Sequence, residues 1–268
     1  MTKHDIKELS IQVNLNGLSF CILNRSTNTV ELLRSTSFNN KLTPNDALSR
    51  LKTEIVSNNV FSADFNSVQL IHQNELATLV PQTLFDENHK ADYLKFNSKI
   101  LRTDFITHDD ITVSKSANVY VPYVNVNNYI FETFGAFVYK HSSSVLIDAV
   151  LQLKRDKDKP EVFINVNHNT FELLVVENKQ VLLFNVFDYT TKEDFIYYIL
   201  FVLEQLKLDS ETIPVHLSGN VNKDDELYSI LYTYVRYVHL IKNICSFKVA
   251  ESEKPKTLHQ HYLILNSF

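Results

Sequence analysis

The sequence predicts an α/β protein built from two related halves. Three observations carry this expectation: one order of strands and helix recurs in each half, an I-x-V-N-x-N pattern heads each half, and a charged run precedes a proline between them.

The first half opens on alternation. Leu9, Ile11, Val13 and Leu15 point one way with Ser10, Gln12 and Asn14 between them. Asn16-Gly17 reads as a two-residue hairpin turn into a strand over Leu18 to Leu23. Asn24 to Asn28 is a second turn, and Thr29 to Ser35 a third strand. Thr43-Pro44-Asn45-Asp46 then starts a helix: Thr43 caps it, Pro44 fits the first helical position, and Asp46 meets the positive dipole end. The helix is expected to run to about Val56, with a fourth strand over Val68 to His72.

The middle is less regular. Pro81 is read as opening a helix to about Lys95, and Lys99 to Thr112 gives no clear period. Val119 to Val124 reads as a strand that Pro122 marks as an edge. A helix over Asn128 to Phe134, a strand over Ala136 to Lys140 and a helix over Ser143 to Leu153 follow. The run Lys154 to Lys159 before Pro160 is the expected boundary, dividing the chain into lobes 1–155 and 156–268.

The second half repeats the order. Glu161 to Asn167, Phe171 to Glu177 and Val181 to Phe187 read as strands, with turns at Asn169-Thr170 and Asn178-Lys179. Thr190 or Thr191 caps a helix to about Leu206, with Glu193 or Asp194 completing a capping box. Ile213 to Ser218 is its fourth strand. A helix over Lys223 to Tyr237 and a strand over His239 to Ile244 follow, and Leu258 to Phe268 fits either state. Ile11, Val13, Asn14 and Asn16 match Ile164, Val166, Asn167 and Asn169 at a constant offset of 153 (164 − 11, 169 − 16), so an internal duplication is expected.

Composition narrows the function classes. At 268 residues, with 44% hydrophobic and 21% charged, the chain has ordinary globular content and enough length for a large core. A net charge of −5 gives no overall attraction to nucleic acid or anionic membrane. No apolar run reaches the roughly 18 residues of a membrane span, and Met1 to Lys7 does not read as a secretory signal. With only Cys21 and Cys245, no disulfide framework is implied, and a soluble protein of the reducing cytoplasm is expected. Gly17, Gly135 and Gly219 are the only glycines, too few for a P-loop or dinucleotide fingerprint.

Two tandem βββαβα units joined by a helix resemble the actin-like ATPase fold, shared by actin, heat-shock chaperones of the Hsp seventy class and sugar kinases. The whole chain also resembles an uncharacterised Bacteroidetes family of unknown function. The likeness lies in Thr78-Leu79-Val80-Pro81 with Leu84-Phe85 and Tyr93 to Asn97, in Tyr139-Lys140-His141 leading into Val145 to Leu153, and in Val215 to Asn220. It implies an α/β, actin-like ATPase fold of two duplicated ribonuclease H-like lobes with mixed sheets, and no activity.

In active members of the superfold, the resemblance implies, the first hairpin of each half carries roughly I-x-I-D-x-G, with aspartates for magnesium and glycines beside phosphate. The matching positions here are Asn14 and Asn16, and Asn167 and Asn169. An amide brings magnesium an oxygen without charge and cannot accept a proton, and a side chain in place of glycine narrows the phosphate space. Leu217-Ser218-Gly219-Asn220 sits where active relatives place a glycine-rich turn near adenosine. Asn14, Asn16, Asn167, Asn169, Ser218 and Gly219 are therefore the candidate positions of a degenerate nucleotide site; turn-forming asparagines and an ordinary S-G-N turn account for the same letters.

Other constellations are weaker. Asp109-Asp110 and Asp224-Asp225 are adjacent pairs, the latter at a helix start. His259-x-His261 lacks Cys or acidic companions at metal spacing. Phe195, Tyr197, Tyr198 and Phe201, with Tyr228, Tyr232, Tyr234 and Tyr237, crowd two helices and are expected mainly in the core, or else on a partner surface. The expectation is a non-catalytic binding or scaffolding module with a protein partner or self-association, no catalytic residues and no metal. The rival readings are nucleotide binding without hydrolysis, with ATP and magnesium as ligands, and an unusual ATPase or small-molecule kinase recruiting Asp148 or Asp188.

Overall fold

The computed structural model describes residues 5–96, 98–153, 159–242, 245–255 and 257–268. Residues 154–158 of the expected boundary run Lys154 to Lys159, and the end of the expected 239–244 strand, lie outside them.

The first sheet is built from β1 (Lys7–Asn14), β2 (Gly17–Asn24), β3 (Thr29–Ser37) and β4 (Ser67–Gln73), with α1 (Pro44–Ser57) crossing between β3 and β4. The second uses β9 (Glu161–Val166), β10 (Thr170–Glu177), β11 (Gln180–Asp188) and β12 (Pro214–Gly219), with α5 (Lys192–Gln205) in the same place. An insertion after β4 contains β5 (Ala77–Pro81), α2 (Lys90–Lys95), β6 (Thr107–Ile111) and β7 (Ser116–Tyr120). The chain then returns through α3 (Val124–Phe134), β8 (Val138–His141) and α4 (Ser142–Gln152). After β12 come α6 (Glu226–Tyr234), β13 (Tyr237–Leu240), the short β14 (Lys248–Val249) and α7 (Tyr262–Leu265).

The sheet orders are β14-β3-β2-β1-β4-β8, β11-β10-β9-β12-β13 and, in the insertion, β5-β7-β6. The two large sheets share a plan: a three-strand antiparallel meander, then parallel strands on the far side of its first strand. Their register also matches. Ile11 pairs with Phe20 and Leu70, and Ile164 pairs with Leu173 and Leu217. Even the register shift falls alike, between Ile22 and Leu23 in one and Val175 and Val176 in the other.

Each sheet buries both faces. Outside, α1 sets Ala47, Leu51 and Ile55 as one stripe on the first sheet, while α5 sets Phe195, Ile199 and Val202 on the second. Between the lobes, α4 and α7 share one core with Cys21 and Ile71 of the first sheet and Phe163 and Leu174 of the second. Ser267 Oγ donates to Ser10 Oγ at 2.7 Å, pinning the tail onto β1.

The caps form as the sequence implies. Thr43 Oγ1 accepts from Asp46 N, and Thr191 with Asp194 makes a full capping box. Asn178 and Lys179 both take positive φ, as a type I′ hairpin demands.

Several readings need correction. The first hairpin turns at Leu15-Asn16, because Asn14 pairs with Gly17. Gly17 serves packing: a Cβ there would stand 2.7 Å from the Thr36 carbonyl oxygen. Pro81 ends β5, so the helix expected from it shrinks to two 3-10 turns and α2. The strand near Pro122 stops at Tyr120 and is the central strand of the insertion sheet. The tail is a 3-10 turn followed by α7. The aromatic helices are less buried than expected: Phe195 is core, but Tyr197, Phe201, Tyr232, Tyr234 and Tyr237 are exposed. They stand on the faces of α5 and α6 turned from the sheet, and just beyond α6.

Candidate functional site

The heads of β1 and β9 meet across the cleft between the lobes. Asn14, Asn16, Asn167 and Gly219 line a cavity of about 200 Å³, and Asn169 joins the first three around a second of about 60 Å³. Ser218 lines neither. It is buried, and its Oγ donates to Asn165 Oδ1 at 3.0 Å.

The turn geometry occupies the asparagines. Asn14 Oδ1 accepts from Asn16 N at 2.7 Å, which holds the first hairpin. In the second, Asn167 N donates to the Thr170 carbonyl at 2.9 Å and Tyr189 OH to the Asn167 carbonyl at 2.8 Å. Gly219 has φ +79°, and a Cβ there would come within 2.2 Å of the Val166 carbonyl oxygen. That approach lets Asn220 N donate to the same carbonyl at 2.7 Å.

A chain of amides closes the floor. Gln12 Nε2 donates to Gln73 Oε1 and Gln73 Nε2 to Asn167 Oδ1, both at 2.7 Å, so one buried glutamine ties the lobes together. Sequence reasoning missed Gln12, Gln73 and Asn165, although a signal was present. Gln12 and Asn165 fill the same x position of I-x-V-N, at the offset of 153.

The larger cavity is lined by amides, hydroxyls, His168, His261 and apolar groups, with no carboxylate, lysine or arginine among the described residues. Charge enters at the smaller one, through Glu172, Asp188 and the Lys41–Glu75 ion pair at 3.0 Å. Asp148 lies elsewhere, 3.8 Å from Lys140 Nζ. No group of three or more His, Cys, Asp or Glu among the described residues is arranged to hold a metal.

Behind the cleft, the N-terminus of α4 gathers two carboxylates, Glu172 buried and Asp109 half-buried. Ser142 and Ser143 donate to Glu172 Oε1, each at 3.2 Å, and Asn165 Nδ2 donates to Oε2 at 2.8 Å. Ser144 Oγ and His141 N donate to Asp109 Oδ2 at 2.6 and 2.8 Å, while Tyr120 OH reaches Oδ1 at 2.9 Å. Burial pushes both carboxyls up from their ordinary values, and the hydrogen bonds hold part of the shift back. Burial also lowers His72 to about 4 and His141 to about 3, so both are neutral. Helix start, insertion and second sheet are thus fastened at one point.

The family model described as a protein of unknown function, DUF3822, matches residues 1–238. The chain belongs to the DUF3822 family. No curated protein matches it. Among solved structures, this DUF3822 chain is similar to a Bacteroides thetaiotaomicron protein with actin-like ATPase fold and unknown function. The identity is 21%, over 90% of this chain and 92% of that one, with a TM-score of 0.75. It is also similar to a chain of the PilM–PilN type IV pilus biogenesis complex, at 10% identity over 98% of both chains and a TM-score of 0.66. The ethanolamine utilization protein EutJ from Carboxydothermus hydrogenoformans follows, at 8% over 97% of this chain and 88% of that one, with a TM-score of 0.51. The DUF3822 chain has the actin-like ATPase fold. No helix among the described residues is long and apolar enough to cross a membrane.

Proposed function

We propose that the chain is a catalytically degenerate actin-like protein that works as a binding or scaffolding module. The observation that carries this reading is the cleft itself, where neutral amides stand in place of acids and are taken up by hydrogen bonds, one of which, Gln73 to Asn167, crosses the lobes. A magnesium-bound triphosphate does not fit this donor set. The Asn14 and Asn167 oxygens already accept hydrogen bonds, and neither carries charge. The cavity of about 200 Å³ also falls below the roughly 300–1,000 Å³ of small-molecule sites.

Matching register in the two sheets supports an internal duplication, with lobes at 1–155 and 156–268 and the tail packed back on the first. The partner is a protein or a second copy rather than nucleic acid or membrane, in keeping with the net charge of −5, and the setting is the cytoplasm. The PilM–PilN complex supports a binding role by example, since a chain of this fold takes part in a protein assembly there.

ATP turnover by the purified chain with Mg²⁺ tests the proposal. No hydrolysis above the buffer rate is expected; robust turnover abolished by Asn167→Ala would refute it. One observation favours a second reading, an enzyme using the smaller cavity: Asp188 lines it beside Asn14 and Asn167. That reading requires turnover lost in Asp188→Asn.

A further inference from the structure

Two strand edges flank one groove outside the interlobe cleft. β5 is an edge of the insertion sheet, and β11 is an edge of the second large sheet. Residues 75–79, 98–99, 184–186 and 188, Lys99 among them, line a groove of about 660 Å³, within the usual range of binding clefts. Its lining is mostly polar, with Leu79 and Phe184 adding apolar surface where they pack on the core between the lobes.

Ladder parity shows which backbone groups face the groove. Val121 N donates to the Leu76 carbonyl, so Leu76 faces β7 while Ala77 and Leu79 turn the other way. On β11, Tyr189 N donates to the Asn169 carbonyl, so Phe184, Val186 and Asp188 turn outward. The edge is partly blunted: Pro81 brings no N–H, and Asn185 Oδ1 accepts from Val186 N at 2.9 Å. Charge marks one end. Glu75, already paired with Lys41, and Asp188 line both this groove and the smaller cleft cavity, which leaves the Asp188 carboxylate where groove and cleft join.

We infer that this groove takes an extended segment of a partner polypeptide, added as a strand between β5 and β11, with a basic residue toward Asp188. Outward main-chain donors and acceptors on both walls recognise a peptide backbone, and side-chain pockets on alternate positions supply selectivity. β5 is five residues long, so the bound stretch spans about 17 Å at the strand rise of roughly 3.3 Å per residue. The segment would join the insertion to the second lobe. The inference rests on reading the chain as a binding module; ATP turnover tests that reading and is independent of the outcome here.

The test is a display library of random heptapeptides panned on the immobilised full chain, with selected peptides synthesised and measured by fluorescence polarisation. Alternating apolar residues ending in Lys or Arg are expected. Affinity should fall at least tenfold for Ala77→Pro, which removes an outward N–H at an edge position that tolerates proline. It should fall similarly for the backbone N-methylated peptide, a control that needs no variant to fold. Asp188→Lys should shift selection toward acidic ends. No enrichment over the bare support would overturn the inference, as would N-methylated peptides binding equally well. So would a concentration-dependent dimer in sedimentation that Ala77→Pro dissociates, since the occupant would then be a second copy.

Discussion

The two lobes share a backbone and differ in what fills it. His72 and Gly219 occupy one register position, each opposite the matching valine of the first strand: Val13 in one sheet, Val166 in the other. In the first lobe the position holds a buried imidazole, bonded through Nε2 to Asn127 Oδ1 at 2.8 Å and through Nδ1 to Tyr123 N at 3.2 Å. In the second it holds a glycine at positive φ, pressed against the Val166 carbonyl. Ser19 and Glu172 are likewise matched, opposite Gln12 and Asn165. Only the second lobe buries a carboxylate there. A common frame thus supports two chemistries, a neutral histidine on one side and an acid at a helix start on the other.

The largest expected effect isolates the glycine. Gly219→Ala meets both the strained φ and the Val166 carbonyl, so it should cost roughly 3 kcal/mol or more in urea unfolding. Gly135 has a similar φ of +77° and nothing within 4 Å, so Gly135→Ala should carry the backbone strain alone and cost less, about 1–2 kcal/mol. Equal costs would mean that the close approach in the second lobe contributes nothing.

Acid should separate the lobes next. The folded pKa of His72, about 4, lies below its ordinary 6.5, so its contribution is complete above pH 6.5 and is lost as pH falls toward 4. At about 1.4 kcal/mol per unit, that loss is on the order of 3 kcal/mol, and His72→Gln should reduce the slope to the part that His141, lowered to about 3, contributes. Glu172 acts oppositely. Its raised value means the folded state holds the proton more tightly, so stability grows as pH falls through that value toward the ordinary carboxylate value. Glu172→Gln should remove this gain and stay within about 1 kcal/mol of wild type at pH 7. Glu172→Ala should cost about 2–3 kcal/mol by orphaning Ser142, Ser143 and Asn165.

Smaller effects test the junction and the caps. Gln73→Ala breaks both links of the amide chain and should cost about 1–2 kcal/mol. Hydrogen exchange should then speed up at Asn16 and Asn167 but not within α5. Thr191→Ala, which breaks a full capping box, should cost about 1 kcal/mol and more than Thr43→Ala.

Most of the frame was legible because local chemistry fixed it. Alternation set the meanders, Thr43 and Thr191 set the helix starts, and one offset related the two asparagine pairs that line the cleft. The insertion was less legible. Its strands β5, β6 and β7 are five residues each, too short for a period, and Pro81 reads equally as a helix start or a strand end. Gln73 and Glu172 were hidden for another reason. Their roles depend on partners 94 and 30 residues away, Asn167 and Ser142, which no local pattern brings together. The outward tyrosines of α5 and α6 were misjudged because aromatic content alone does not set which way a helix turns.

The most direct measurement is calorimetric titration of the full chain with ATP, with and without Mg²⁺. The expected result is no heat of binding at millimolar nucleotide in either condition. Saturable binding that needs Mg²⁺ and disappears in Asn14→Ala or Asn167→Ala would contradict the claim that amides have closed this cleft to a metal-bound triphosphate.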